Sequence, residues 1–212
     1  MASRALCAAA IPSLSWHDGM VILASQSPRR AELLGRLVQE FQCIPAHIDE
    51  SIVLGETPFV YVSRLSQAKA STVAAQYTDA VVIAADTAVV FRGQIFNKPE
   101  SRSDARAMLH TLRGKSHQVL TGLTLLSPAF CHSEVVSTRV SFAAVSDALI
   151  EAYLATGEPF DKAGGYALQG VGDVLVDSIQ GSVSNVIGLP LHRLSILLEQ
   201  AGVSLSLSTS AA

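Results

Sequence analysis

Two adjacent arginines, two loop acids, one aspartate after an apolar run and three scattered lysines are the residues of this chain that could do chemistry. Arg29 and Arg30 follow Ser27-Pro28, which reads as a helix N-cap and a first helical residue, because proline's missing N–H would be unpaired there anyway. Cations at the positive end of a helix are a local cost. An anion held between the helix start and the guanidinium groups would offset it, and phosphate suits that geometry. The other reading of the pair is two solvated charges on a helix surface.

Asp86 follows the apolar run Ala80-Val81-Val82-Ile83-Ala84-Ala85, the mark of a strand covered on both faces. A carboxylate there is desolvated unless paired. That leaves Asp86 open between a metal or catalytic role and a satisfied turn aspartate at a strand end, and Thr87 open between a ligand contact and the end of the turn. Asp49 and Glu50 form an acidic turn that would be solvated by itself. Brought together with Asp86, one of them would supply the oxygen ligands that Mg²⁺ or Mn²⁺ prefers. Lys69, Lys98 and Lys162 read singly as surface charges, although Lys98 precedes a proline and Lys162 precedes a glycine-rich loop. Gln169 lies in that loop, where its amide could read a base edge or simply bond within the loop.

The elements that must position these groups alternate between strand and helix periodicity. Residues 20–24, 41–45 and 80–91 read as strands, with a turn at Arg92-Gly93-Gln94 leading to a further extended segment. Helices are expected over residues 28–40, with Leu33, Leu34, Leu37 and Val38 inward, and over 58–76, with Phe59, Val62 and Leu65 inward and Lys69 inside the helix. A helix over 103–113 precedes two long strands, 117–127 and 134–142, that read as antiparallel neighbours. A capped helix at 146–156, the loop Asp161–Gly172, a strand at 174–179, a connection at 181–188 and a last helix at 189–200 complete the chain. The pattern is that of an α/β fold with a mixed sheet.

The chain has 212 residues, 49% hydrophobic and 16% charged, enough for a sizeable core and too apolar for disorder. It is expected to form one catalytic domain over residues 20–203, with a flexible extension at 1–19 and a flexible tail at 204–212. A net charge of −3 offers no global basic field, which argues against a nucleic-acid polymer as partner. Cys7, Cys43 and Cys131 form no CxxC pair and read as free thiols of a reducing compartment. No apolar run is long enough to cross a bilayer. The cytoplasm is the expected location, with organellar targeting by the Ala- and Ser-rich extension as the other reading. Gly114-Lys115-Ser116 is not a P-loop, because Leu109 stands where its first glycine belongs. Gly170-Val171-Gly172 lacks the third glycine of a dinucleotide fingerprint, since Leu175 takes that place.

Taken together, Ser25-x-Ser27-Pro28-Arg29-Arg30, Ala85-Asp86-Thr87, Lys98-Pro99, Asp161-Lys162-Ala163-Gly164-Gly165-Tyr166 with Gln169-Gly170, and Asn185-Val186-x-Gly188-Leu189-Pro190-Leu191 resemble the Maf family of nucleoside triphosphate pyrophosphatases. The resemblance runs from about Val21 to Gln200. It implies a mixed twisted sheet flanked by helices, with two lobes around a cleft, akin to inosine triphosphate pyrophosphatases. It also implies hydrolysis of a nucleoside triphosphate to the monophosphate and pyrophosphate with a divalent cation, Mg²⁺ or Mn²⁺. By position, Asp86 matches the proton acceptor, and Glu50 matches the acid that shares the metal with it. Ser27, Arg29, Arg30, Lys69 and Lys98 match substrate-binding positions, and Arg29, Thr87 and Gln169 match positions of substrate choice. Glutamine at 169 resembles the dTTP/UTP-directed branch. Asn97 departs from the pattern, in which an acid or glycine often precedes the lysine. The alternatives are a pyrophosphatase for 7-methyl-GTP or another non-canonical nucleotide, and a nucleotide-binding cell-division regulator without turnover. Homodimerisation is a further expectation, since similar proteins often pair.

Overall fold

A computed structural model describes residues 19–207. The expectations for the extension at 1–18 and for residues 208–212 fall outside the described residues. The apolar run becomes the centre of the fold. Strand β3 (Val81–Phe91) is paired along most of its length with β5 (Ser116–Leu126), antiparallel, and β5 in turn with β6 (Cys131–Phe142). On the other edge of β3, the parallel strand β1 (Val21–Leu23) covers Val81, Val82 and Ile83, and the antiparallel strand β4 (Gln94–Phe96) covers Val89, Val90 and Phe91. The mixed sheet ends in β2 (Gln42–Cys43) beside β1 and in β7 (Val176–Gln180) beside β6. Among the described residues, residues 84–88 therefore have no strand partner on the β1/β4 side, and the cleft opens into that gap.

Helices cover both faces, and the alternation of side chains along β3 decides which helix meets which residue. Helix α2 (Pro58–Ala74) lies over one face, with Tyr61, Val62 and Leu65 against Ala88, Val90 and Leu120, and Ala70 and Val73 against Val82 and Ala84. On the opposite face, Val81, Ile83 and Ala85 pack with α1 (Pro28–Leu34) and α6 (Leu191–Gln200). Val89 and Val119 on that face pack with α3 (Arg102–Leu112) and α4 (Asp147–Ala155). The polar pair Asp86-Thr87 falls between these packing centres along β3.

Several expectations are revised. Helix α1 stops at Leu34 rather than near residue 40: after Gly35 the chain tightens into a turn, with the Arg36 and Leu37 amides donating to the carbonyls of Leu33 and Leu34. Leu37 and Val38 are still buried in the same cluster, so their spacing imitates a longer helix. Phe59 is 55% exposed, because the stripe of α2 that meets the sheet starts at Tyr61. The connection at 181–188 holds a short helix, α5 (Val183–Ile187), capped by Ser182. Beyond α6, the Ser206 amide donates to the Leu37 carbonyl and Leu205 packs on the core. The turn at Arg92-Gly93 takes positive φ at both residues, as the tight hairpin between β3 and β4 requires. Among the described residues, no helix is long and apolar enough to cross a membrane.

Candidate active site

Asp86 lies in the middle of β3, not at a strand end, and is buried with 6% of its surface exposed. Its parity places it on the α2 face. The helix delivers a partner there: Lys69 Nζ donates to Asp86 Oδ1 at 2.6 Å. Lys69 is itself buried, although read singly it looked like a surface charge. Breaking a buried ion pair costs about 3–5 kcal/mol, so each of these charges depends on the other. The same ammonium lies 2.8 Å from Glu50 Oε1. Burial pushes the Asp86 carboxyl above the usual aspartate range, while Lys69 and Arg30 pull it back down.

The loop that carries Glu50 is fastened by Tyr61, whose hydroxyl donates to the Glu50 carbonyl at 3.0 Å. Burial, reinforced by Asp86 and Glu50, pushes the Tyr61 phenol up to about 12, so it remains a donor. Asp49 is turned elsewhere. Its Oδ1 accepts from the Ser51 amide at 2.9 Å, which holds its carboxyl below the ordinary range. Of the two loop acids, Glu50 is the one that reaches the Lys69–Asp86 pair.

Thr87 points to the opposite face, toward α1 and α5. Ser27 caps α1 by accepting from the Arg30 amide, as the Ser-Pro signature predicts. The Arg30 side chain then ties three segments together. Nε donates to the Gly188 carbonyl at 2.9 Å, Nη2 to Thr87 Oγ1 at 3.1 Å and Nη1 to Ser25 Oγ at 3.3 Å. Desolvation lowers its pKa, with the Asp86 charge acting against that loss. Arg29 turns away from Arg30 and crosses the cleft to Asp161, with Nη1 to Oδ2 at 3.2 Å. The two arginines thus do different work, one organising the floor and one spanning the opening.

These groups line one cavity of about 710 Å³. It is lined by Ser27, Arg29, Arg30 and Thr87, by Glu50, Lys69 and Asp86, and by Lys98. A second cavity of about 160 Å³ shares Arg29, Arg30, Thr87 and Lys98 with the first and is walled by Ala167, Leu168 and Gln169. Lys162 lines the second cavity, with its ammonium donating to the Glu158 carbonyl and to Asp161. The structure therefore gathers every residue singled out above except Asp49 around two adjoining hollows, one charged and one bounded by the glycine-rich loop.

Two carboxylates converging on one ammonium form a cation site by electrostatics, and hard carboxylate oxygens suit Mg²⁺ or Mn²⁺. Among the described residues no group of three or more His, Cys, Asp or Glu side chains could hold a metal, so Glu50 and Asp86 would supply only part of a coordination shell. That fits a cation completed by phosphate oxygens and water.

Some contributors were not singled out from the sequence. Asn185 holds α5 to the sheet by donating to the Val119 carbonyl at 3.1 Å and to Thr138 Oγ1 at 3.0 Å, and Thr121 Oγ1 donates to its backbone carbonyl at 3.1 Å. This anchoring sets the Gly188 carbonyl where Arg30 meets it. Tyr61 also gains its role from residues distant in the chain, so no local signal marks it, and Asp161, although part of a quoted motif, takes its partner Arg29 from the far side of the cleft.

The model of the Maf-like protein family matches residues 20–201. A dTTP/UTP pyrophosphatase of Anaeromyxobacter dehalogenans (strain 2CP-C) is 48% identical over 189 residues, covering 87% of this chain and 95% of its own. One from Latilactobacillus sakei subsp. sakei (strain 23K) is 46% identical over 180 residues, covering 85% and 99%. The solved structure of the Staphylococcus aureus Ham1 protein aligns with a TM-score of 0.43 and 14% identity, over 59% of this chain and 72% of that one.

Proposed function

The chain belongs to the Maf-like protein family, and we propose that it is a nucleoside triphosphate pyrophosphatase that hydrolyses dTTP and UTP to the monophosphate and pyrophosphate. The observation that carries this reading is the placement of Asp86. It is a buried carboxylate at the gap in the sheet, paired with Lys69, whose ammonium also meets Glu50, and it faces a cleft that otherwise presents Arg29, Arg30 and Lys98.

Phosphoryl transfer leaves a protein mainly the tasks of positioning and electrostatic stabilisation. Arg29, Lys98 and the hydroxyl of Ser27 would hold the triphosphate, and Arg30 would keep the Thr87 side of the floor rigid beneath it. This locally placed charge compensates for the absence of a global basic field. Asp86 would accept the proton of the attacking water as the bond between the α-phosphorus and the bridging oxygen breaks, and pyrophosphate departs with that oxygen. Lys69 favours the ionised form of Asp86 by opposing its desolvation. Glu50 and Asp86 would hold a divalent cation, Mg²⁺ or Mn²⁺, which when bound supplies Lewis acidity at the phosphate oxygens.

The smaller cavity would take the base. Gln169 has an amide donor and acceptor that can pair with the edge of uracil or thymine, and a site built to bond a polar edge discriminates strongly against a ligand that lacks it.

The test is pyrophosphate release from dTTP, UTP, CTP, GTP, ITP and 7-methyl-GTP with Mg²⁺, with Mn²⁺ and with chelator. Metal-dependent cleavage of dTTP and UTP above the rest is expected. Preference for 7-methyl-GTP would overturn the assigned specificity while leaving the chemistry. Nucleotide binding without release of pyrophosphate would overturn the activity in favour of a regulator.

A further inference from the structure

Gln169 sits on a stretch of short 3-10 turns and bends rather than on a strand or long helix, so something must hold it still if it is to select a base. Glu158 and Tyr153 form that hold. Glu158 Oε1 accepts from the Tyr153 hydroxyl at 3.0 Å and from the Gly172 amide at 3.0 Å, and Oε2 accepts from the Val171 amide at 3.0 Å. The Tyr153 oxygen accepts in turn from the Ala167 amide at 3.2 Å. One acid–phenol pair therefore grips the loop on both sides of Gln169, at Ala167 before it and at Val171 and Gly172 after it.

The glycines of the loop are fitted to this pair. Gly170 has φ +148°, and a Cβ there would lie 2.3 Å from Glu158 Oε2. A Cβ on Gly172 would lie 2.6 Å from the Tyr153 hydroxyl and 2.6 Å from the Ala167 carbonyl oxygen. Only a backbone without side chains at both places can wrap the carboxylate this closely. Burial, together with the Glu158 charge, raises the Tyr153 pKa and keeps the hydroxyl a donor to the acid. Bonds from backbone N–H groups to a carboxylate are among the stronger protein hydrogen bonds. Glu158 also opens the 3-10 turn Glu158–Asp161, whose last residue meets Arg29 across the cleft. The base-side loop and the phosphate-side clamp thus share one support.

We propose that Glu158 and Tyr153 are positioning residues for substrate selection, holding residues 167–172 so that Gln169 forms a fixed wall of the base cavity. This rests on the reading of that cavity given above.

The experiment compares Glu158→Ala, Tyr153→Phe and Gln169→Ala with the parent enzyme. It measures kcat and KM for UTP and GTP, and amide hydrogen exchange over residues 167–172. Folded Glu158→Ala and Tyr153→Phe are expected to lower the UTP-over-GTP preference roughly tenfold, mainly through KM for UTP, as loss of an oriented polar contact does. Exchange at Val171 and Gly172 should quicken in the Glu158 variant. Combined with Gln169→Ala, neither change should lower the preference further. Glu158→Gln, which retains the volume and one acceptor oxygen, replaces the alanine variant if that one does not fold. Unchanged preference in the folded variants, or an equal fall of kcat for both nucleotides, would overturn the proposal. If Gln169→Ala alone keeps the parent preference while Glu158→Ala loses it, the Gln169 reading fails and the positioning role stands. If the protein turns over no nucleotide, calorimetric affinities for UTP and GTP give the same ratio and decide in the same way.

Discussion

Gly122 stands directly across from Asp86 in the ladder between β3 and β5, and the backbone of α2 occupies the space its side chain would take. A Cβ at that position would lie 2.1 Å from the Val62 carbonyl oxygen. This close approach seats α2 so that Lys69, about two helical turns beyond Val62, arrives over Asp86. A glycine inside a strand marks such an approach of backbone to backbone. Gly122→Ala is expected to destabilise the fold by about 1–3 kcal/mol through overpacking. It should also lower pyrophosphate release without changing nucleotide preference, since it moves Lys69 and not the base cavity. Denaturant titration and steady-state kinetics check both effects. Parent stability and turnover would show that the contact does not set the position of Lys69.

Asp86→Asn keeps the shape of the side chain and removes its capacity to accept a proton. A fall in kcat of roughly a hundred- to ten-thousand-fold is expected, the usual worth of a general base. Circular dichroism should show the parent fold. Near-normal turnover would take Asp86 out of the catalytic role.

Lys69→Ala leaves Asp86 and Glu50 without the cation between them. The loss of stability should reach about 3 kcal/mol, as for other broken buried pairs. Mg²⁺ or Mn²⁺ should then raise the melting midpoint of this variant more than that of the parent, because the ammonium no longer competes with the metal for the two carboxylates. A melting midpoint indifferent to metal in both proteins would remove Glu50 and Asp86 as the metal site.

Asp161 forms a 3.2 Å ion pair with Arg29 and would compete for it with substrate phosphate. Asp161→Asn should lower KM for UTP about two- to fivefold, a modest effect because the pair is partly solvated. The gain should shrink as salt is added and screening rises. A raised KM in the variant would mean that Asp161 orients Arg29 rather than competing for it.

His117 offers a stability test independent of catalysis. It is buried, its Nε2 bonds the Tyr166 hydroxyl at 2.7 Å, and its Nδ1 has no hydrogen-bond partner among the described residues. Burial lowers its pKa from 6.5 to about 4. Between those values the unfolded chain binds the proton and the folded chain does not, so stability is full above pH 6.5 and falls as pH drops toward 4, by roughly 3 kcal/mol in all. His117→Gln cannot titrate and should flatten this part of the profile. Denaturant titrations from pH 7 to pH 4 measure the slope, and an unchanged slope would assign the acid sensitivity elsewhere.

Much was legible in the chain itself. The Ser27-Pro28 cap, the apolar run of β3, the β5–β6 pair and the turn at Arg92-Gly93 are local events, set by residue geometry and hydrophobic period. The ordered motifs from Ser25 to Leu191 were enough to place the chain in its family, and Asp86 was suspect as a charge beside an apolar run. Tertiary structure decided the pairings. Lys69 looks like any helix lysine until α2 lies on the sheet and a buried carboxylate meets it. Read by residue type alone, Asp49 and Glu50 are equivalent, and the fold of their loop turns one to Lys69 and the other onto Ser51. Arg29 and Arg30 are neighbours that part company because their side chains leave the helix in different directions, one to Asp161 and the other to Gly188 and Thr87. Local sequence encodes the dihedral preferences and the period of burial. The partner of a buried charge depends on which distant segment packs over it, and that is settled only when the two faces of the sheet are closed.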